Sequence, residues 1–304
     1  TDVSLPQRLG RLQQVERIGA GGFATVWRYY DEELDSDVAV KALADNWAQR
    51  LDIRERFLEE ARILRRADAD HVVRVYDNGE TESGTPYFVM SYADRGTIAD
   101  LISDGSRPTV EETIEIIRQA GTGLAVLHRN GIIHRDIKPQ NLLLRSRSDG
   151  GTEVLVADLG VAKAVAHASG LTQVVGTPAY IAPEQALGQG LDTRADIHAL
   201  GAVTYVLLTG RMVREDGLAG LLSPQLPPAP STVADVPSYL DAAVLKALAI
   251  NPAQRWGTVE EFLAALDPAT PRKRSYRGAR MALLVAMVLV VAFIVSYVLT
   301  SLLR

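Results

Sequence analysis

Cysteine is absent from all 304 residues, which rules out a disulfide framework and a thiolate metal site. Histidine is scarce as well, at five residues, and no second one sits at metal-ligand spacing around His198, for which a packed core position is expected. Basic charge is not in excess either. The formal net charge is −5, and six Lys/Arg with no Asp/Glu follow Pro271, leaving 26 positive against 37 negative residues in 1–271. So acidic a body argues against a nucleic-acid surface. What the chain does have is 47% hydrophobic residues, enough for a sizeable core in a chain too long for one small domain. Residues 1–11 read as a polar lead-in without a signal-peptide pattern.

The densest chemistry lies in His134-Arg135-Asp136-Ile137-Lys138-Pro139-Gln140-Asn141, where a candidate base, a cation and a metal ligand share eight residues. Apolar Gly131-Ile132-Ile133 precedes the stretch and Leu142-Leu143-Leu144 follows, which predicts a polar loop held between buried segments. Upstream, the alternating Val15-Glu16-Arg17-Ile18 runs into Gly19-Ala20-Gly21-Gly22-Phe23-Ala24-Thr25-Val26, a strand–turn–strand whose glycines let backbone N–H groups approach an anion. The apolar strand Val38-Ala39-Val40 ends in Lys41, and residues 54–66 predict a helix whose apolar face carries Phe57, Ala61 and Leu64, with Glu60 on that face and Glu59 beside it. Strands are expected at 71–76 and 86–90, completing a five-stranded lobe, and a long helix at 110–130. Residues 153–157 predict a strand delivering Asp158-Leu159-Gly160.

In this order, with Gly176-Thr177-Pro178-Ala179-Tyr180-Ile181-Ala182-Pro183-Glu184 downstream, the motifs match the glycine-loop, lysine-strand, H-R-D-x-x-x-x-N and D-F-G patterns. The chain resembles the eukaryotic-type (Hanks-type) bacterial serine/threonine protein kinases, of the membrane-anchored actinobacterial kind, over about residues 10–267. The resemblance implies an α+β bilobal protein kinase fold, with a β-rich small lobe holding one helix (12–92) and a mainly helical large lobe (93–267). It implies ATP and Mg²⁺ as cofactors, with Mn²⁺ able to substitute, and proteins bearing Ser or Thr as substrates. Asp136 is then the base, Lys138 and Lys41 hold phosphates, and Asn141 and Asp158 hold the metal. Glu60 is the expected partner of Lys41, because only an inward carboxylate reaches a strand lysine, with Glu59 as the alternative. The phosphates lie under Gly19, Ala20, Gly21, Gly22 and Phe23. Ile18, Val26, Ala39 and Leu143 complete the nucleotide-binding set, with Met90 at the back of the adenine pocket and Tyr92 in the hinge.

Thr172 is the expected activation-loop phosphosite, with Arg135 placed to pair with its phosphate. Asp196 is expected to brace the catalytic loop, and Arg255 to pair with Glu184. The sequence departs from the family pattern at Ala24, Leu159 and the short region after Arg211, which leaves a membrane-anchored pseudokinase as the alternative function. A small-molecule phosphotransferase is disfavoured by Ala182-Pro183-Glu184 with Arg255.

Beyond a basic linker at 268–280, residues 281–303 contain no charge, about 34 Å as a helix at roughly 1.5 Å per residue, and predict a single transmembrane helix. Arg272, Lys273, Arg274, Arg277 and Arg280 precede it and only Arg304 follows, which orients the kinase domain to the cytoplasm at the cell membrane. A tail-anchored kinase and one with a further external domain are both compatible with this pattern. Family analogy also implies a homodimer formed through the small lobe.

Overall fold

The computed structural model describes residues 5–105, 107–160, 179–188, 190–214, 220 and 225–267. The chain divides into a unit Thr1–Asp267 and a unit Pro268–Arg304. Thr172 and Thr177, and the predicted span 281–303, lie outside the described residues. Among the described residues no helix is long and apolar enough to cross a membrane.

The first lobe is an antiparallel sheet built from β1 (Arg8–Leu9), β2 (Leu12–Ala20), β3 (Ala24–Asp31), β4 (Ser36–Leu43), β5 (Val75–Glu80) and β6 (Pro86–Ser91), in the order β1-β2-β3-β4-β6-β5. It has six strands rather than the expected five. Within the expected lead-in, residues 5–11 belong to the lobe: Arg8 and Leu9 pair with Gln13 and Leu12. Leu5 is buried in a small cluster with Tyr29, Val38 and Val40, and the Tyr29 hydroxyl donates to the Pro6 carbonyl at 2.6 Å. Polar composition concealed this, because a single buried leucine carries the anchoring.

Strand β4 is buried on both faces. Val38, Val40 and Ala42 belong to the outer cluster, while Ala39 and Leu43 face the main core. Side chains alternate along a strand, so Lys41 falls on the core side. There it meets α2 (Leu51–Ala67), whose buried residues Ile53, Phe57, Glu60, Ala61 and Leu64 recur at helical spacing. Phe57 and Leu64 are almost fully buried and each contributes about 1.5–3 kcal/mol by leaving water. A single-turn helix, α1 (Asp45–Ala48), precedes α2, so the lobe holds two helices rather than one.

The strand expected at 71–76 begins only at Val75. His71 takes a left-handed backbone with φ 64°, and Val73 N–H donates to Val156 at 2.9 Å while Val156 N–H donates to His71 at 2.8 Å. Val72 and Val73 are both buried. Two consecutive inward valines cannot obey the strand period, and they serve the joint between lobes instead.

The large lobe begins with α3 (Ile98–Ser103) and α4 (Val110–Arg129), each opened by a capping box, Thr97 with Asp100 and Thr109 with Glu112. A hairpin of β7 (Leu142–Ser146) and β8 (Thr152–Val156) follows the catalytic loop. Then come α5 (Pro183–Ala186), α6 (Arg194–Thr209), α7 (Pro230–Val233), α8 (Asp241–Ala247) and α9 (Val259–Ala265). Every residue of α6 from Ala195 to Thr209 is buried, as in a helix at the centre of its lobe, and it ends at Gly210 in the left-handed region with φ 68°. Helices α4 and α8 pack against α6, and α9 packs on α4.

Candidate active site

A cavity of about 440 Å³ opens under the turn between β2 and β3. Its wall includes Ile18, Gly19, Ala20, Gly21, Gly22 and Phe23 from that turn, Val26, Ala39 and Lys41 from the sheet, Met90 and Tyr92 at the connection to the large lobe, and Leu143 from β7. These are the twelve positions the sequence assigns to the nucleotide. A volume in the range of about 300–1,000 Å³, apolar at one end and polar at the other, suits a small ligand. Ser91 also lines it, while its N–H donates to the Arg74 carbonyl at 2.9 Å.

The polar end is organised by Lys41. Its Nζ donates to Glu60 Oε1 at 2.7 Å and also bonds Asp158 Oδ1. Glu59 lies on the outer side of α2 and pairs with Arg62 and Arg66. Burial alone would lower the Lys41 ammonium, but Asp158 and Glu60 outweigh it and hold it above its ordinary value. Lys41 is therefore a fixed, buried cation at the cavity floor. Asp158 sits in the left-handed region with φ 63°, and Leu159 beside it is only 2% exposed, packed in the main core.

The catalytic loop is held from below by one carboxylate. Asp196 accepts the His134 and Arg135 backbone N–H groups, both at 2.8 Å, and lies 2.9 Å from His128 Nε2. His134 is buried: its Nδ1 accepts from Asp136 N–H at 3.3 Å, and its Nε2 donates to the Ala157 carbonyl at 3.0 Å. A backbone N–H can only donate and a carbonyl can only accept, so the ring is the neutral Nε2–H tautomer. Burial pushes it below its ordinary value against the pull of Asp196 and Asp136. This imidazole links the loop to the end of β8, a role that sequence reasoning left unassigned.

Above this support stands Asp136. Lys138 Nζ lies 3.1 Å from both carboxylate oxygens. Asn141 Nδ2 donates to the Asp136 carbonyl at 2.6 Å and to Oδ2 at 2.9 Å. With its amide nitrogen engaged there, Asn141 turns its oxygen elsewhere, and both Asn141 and Asp158 line the cavity. Two oxygen-bearing side chains at a polar cavity end fit a hard divalent cation.

A second, small cleft lies beside Asp136, walled by Lys138, Tyr180, Ile181 and Gln185. Its outer side is fixed by buried charge. Arg255 meets Glu184 through two bonds of 2.6 and 2.7 Å, and Arg214 donates to the Ile181 carbonyl and to His198 Nε2, both at 3.1 Å. His198 is buried as expected; burial and the Arg255 and Arg214 guanidiniums hold it well below its ordinary value. Burial pushes Tyr180 up to about 12. Two contacts had no motif to announce them: Gln185 Nε2 donates to the Arg135 carbonyl at 2.7 Å, and Trp47 reaches the glycine turn from α1. An isolated tryptophan in the polar run Asp45-Asn46-Trp47 was the available signal for the second.

The family model for the protein kinase domain matches residues 12–260. Serine/threonine-protein kinase PknB of Mycobacterium leprae is 36% identical over 282 residues, covering 86% of this chain and 43% of that protein. Serine/threonine-protein kinase Pkn1 of Myxococcus xanthus is 36% identical over 272 residues, covering 86% and 38%. The chain thus spans less than half the length of these relatives. The crystal structure of the Mycobacterium tuberculosis PknI kinase domain superposes with a TM-score of 0.68 at 26% identity, over 86% of this chain and 98% of that one. With the lysine, carboxylate and asparagine geometry described above, these matches settle the family: the chain belongs to the protein kinase domain family.

Proposed function

We propose that this chain transfers the γ-phosphoryl group of ATP to serine or threonine hydroxyls of proteins. The observation that carries the reading is the Asp136 carboxylate, which lines the small cleft and is fixed between Lys138 and Asn141, the latter a residue of the large cavity's wall. An acceptor hydroxyl in that cleft gives its proton to Asp136 as its oxygen bonds to phosphorus. The bond from the γ-phosphorus to the bridging oxygen breaks, and ADP leaves. Lys41 and Lys138 hold phosphate charge, so catalysis rests mainly on positioning and charge neutralisation. Asn141 and Asp158 would hold Mg²⁺, which would supply further neutralisation of phosphate charge. Lys138 and Thr177 match the Ser/Thr-class signature.

The test is incubation of the full chain with radiolabelled ATP and Mg²⁺ beside Asp136→Asn, followed by peptide mapping. Label on serine or threonine in the parent and none in the variant is expected, with Thr172 labelled by autophosphorylation. Absence of label in both proteins, despite ATP binding, removes the reading.

Residues 281–303 are proposed to anchor the protein as a single membrane-spanning helix, with the kinase domain on the cytoplasmic side. Support comes from the charge-free run and from the five basic residues that precede it. Resistance of the membrane fraction to alkaline extraction is expected, and release into the supernatant sinks the anchor.

A further inference from the structure

Trp47 stands on α1, outside the wall of the nucleotide cavity, yet it grips the glycine turn twice. Its indole Nε1 donates to the Gly22 carbonyl at 2.7 Å. Its ring stacks on Phe23, with centroids 4.9 Å apart and planes 17° apart. A third bond, from Ala44 N–H to the Phe23 carbonyl at 2.9 Å, ties the same turn to the end of β4. Phe23 is only 7% exposed, folded down rather than projecting into water.

The turn is closed by one bond of its own, Gly21 N–H donating to the Ala24 carbonyl at 2.9 Å, but that bond does not fix which way the peptide between Gly22 and Phe23 faces. A Cβ added at Gly22 meets nothing within 4 Å, so packing does not fix that residue, and Gly21 beside it adds a second flexible position. Across a trans peptide, the carbonyl of Gly22 and the N–H of Phe23 point in opposite directions. Holding the Gly22 oxygen against a side chain outside the cavity turns the Phe23 N–H towards the cavity, whose wall includes Gly21, Gly22 and Phe23. Rotating the same peptide by half a turn presents a carbonyl oxygen to an anion and repels it.

We propose that Trp47 is a positioning residue that fixes the peptide joining Gly22 to Phe23, so that the glycine turn presents a donor to the phosphates of the nucleotide. The inference rests on the ATP reading given above. It separates the two ends of the ligand: Trp47 governs affinity for the phosphates and leaves the adenosine end alone.

The experiment is calorimetric titration of the full chain in mild detergent with Mg·ATP and with adenosine, for the parent, Trp47→Phe and Trp47→Ala. Trp47→Phe keeps a ring against Phe23 and loses one hydrogen bond, which corresponds to an ATP Kd raised about threefold. Trp47→Ala loses both contacts and raises it about tenfold. Adenosine binding stays unchanged in both variants, and KM for ATP rises while kcat at saturating ATP holds. Equal weakening of ATP and adenosine indicates a general packing role and overturns the proposal. So does unchanged ATP affinity in variants of a parent that binds ATP and phosphorylates. A parent that binds neither ligand removes the kinase reading, and this inference with it.

Discussion

Glu184 and Arg255 meet through two charge-assisted hydrogen bonds with both side chains out of water. Removing one partner leaves the other charge buried without its counter-ion, which costs about 3–5 kcal/mol. Arg255→Met is therefore expected to lower the denaturant midpoint sharply, and Glu184→Met/Arg255→Met to recover part of the loss. Strict additivity in that cycle counts against coupling. His198 gives a second test through pH. Held below its ordinary value of 6.5 by burial, Arg255 and Arg214, it binds fewer protons in the fold than in the unfolded chain. Stability then rises with pH; the contribution is complete above about 6.5 and is lost as pH falls below that towards the folded value. Denaturation from pH 7 to 5 should show a shallower loss for His198→Gln than for the parent, and equal slopes exclude the effect. Helical spacing made Glu60 readable as the inward carboxylate. Arg214 was not readable, because its contacts with His198 and Ile181 arise only from tertiary packing.

Helices show the same division between local pattern and long-range contact. The faces of α2 and α4 repeat within a few residues, so both were visible in the sequence, and their ends moved by only a few positions. Strand β1, the short α1 and the late start of β5 depend on partners elsewhere, namely Leu12, the glycine turn and Val156. Gly123 is another case. In mid-helix an alanine is ordinarily better than glycine by roughly 1 kcal/mol. Here a Cβ would stand 2.3 Å from the His71 carbonyl oxygen and 3.1 Å from Val156 Cγ2, at the place where α4 supports the joint between the lobes. Gly123→Ala is therefore expected to destabilise by about 1–3 kcal/mol, the usual cost of overpacking. A melting temperature equal to or above that of the parent shows that the backbone yields more easily than described.

At the scale of the whole molecule, the lobes are joined by backbone bonds between residues 71–73 and Val156, two residues before Asp158. The small lobe is thereby tied to the end of β8 that carries Asp158. Among the described residues, four non-glycine residues have positive φ, and three of them lie at this joint or on the catalytic loop: His71 at 64°, Arg135 at 69° and Asp158 at 63°. Each left-handed backbone costs roughly 1–2 kcal/mol for a residue with a Cβ. Glycine would relieve much of that, and asparagine some. A library of this chain sorted only for protease resistance should therefore enrich glycine or asparagine at positions 71, 135 and 158, while a library sorted for phosphoryl transfer should retain Asp158. No enrichment at any of the three positions removes the argument. Heat tolerance and turnover are thus opposed at the Asp158 backbone, and a lineage adapting to a hotter habitat would have to leave that angle strained and find its added stability elsewhere, positions 71 and 135 included.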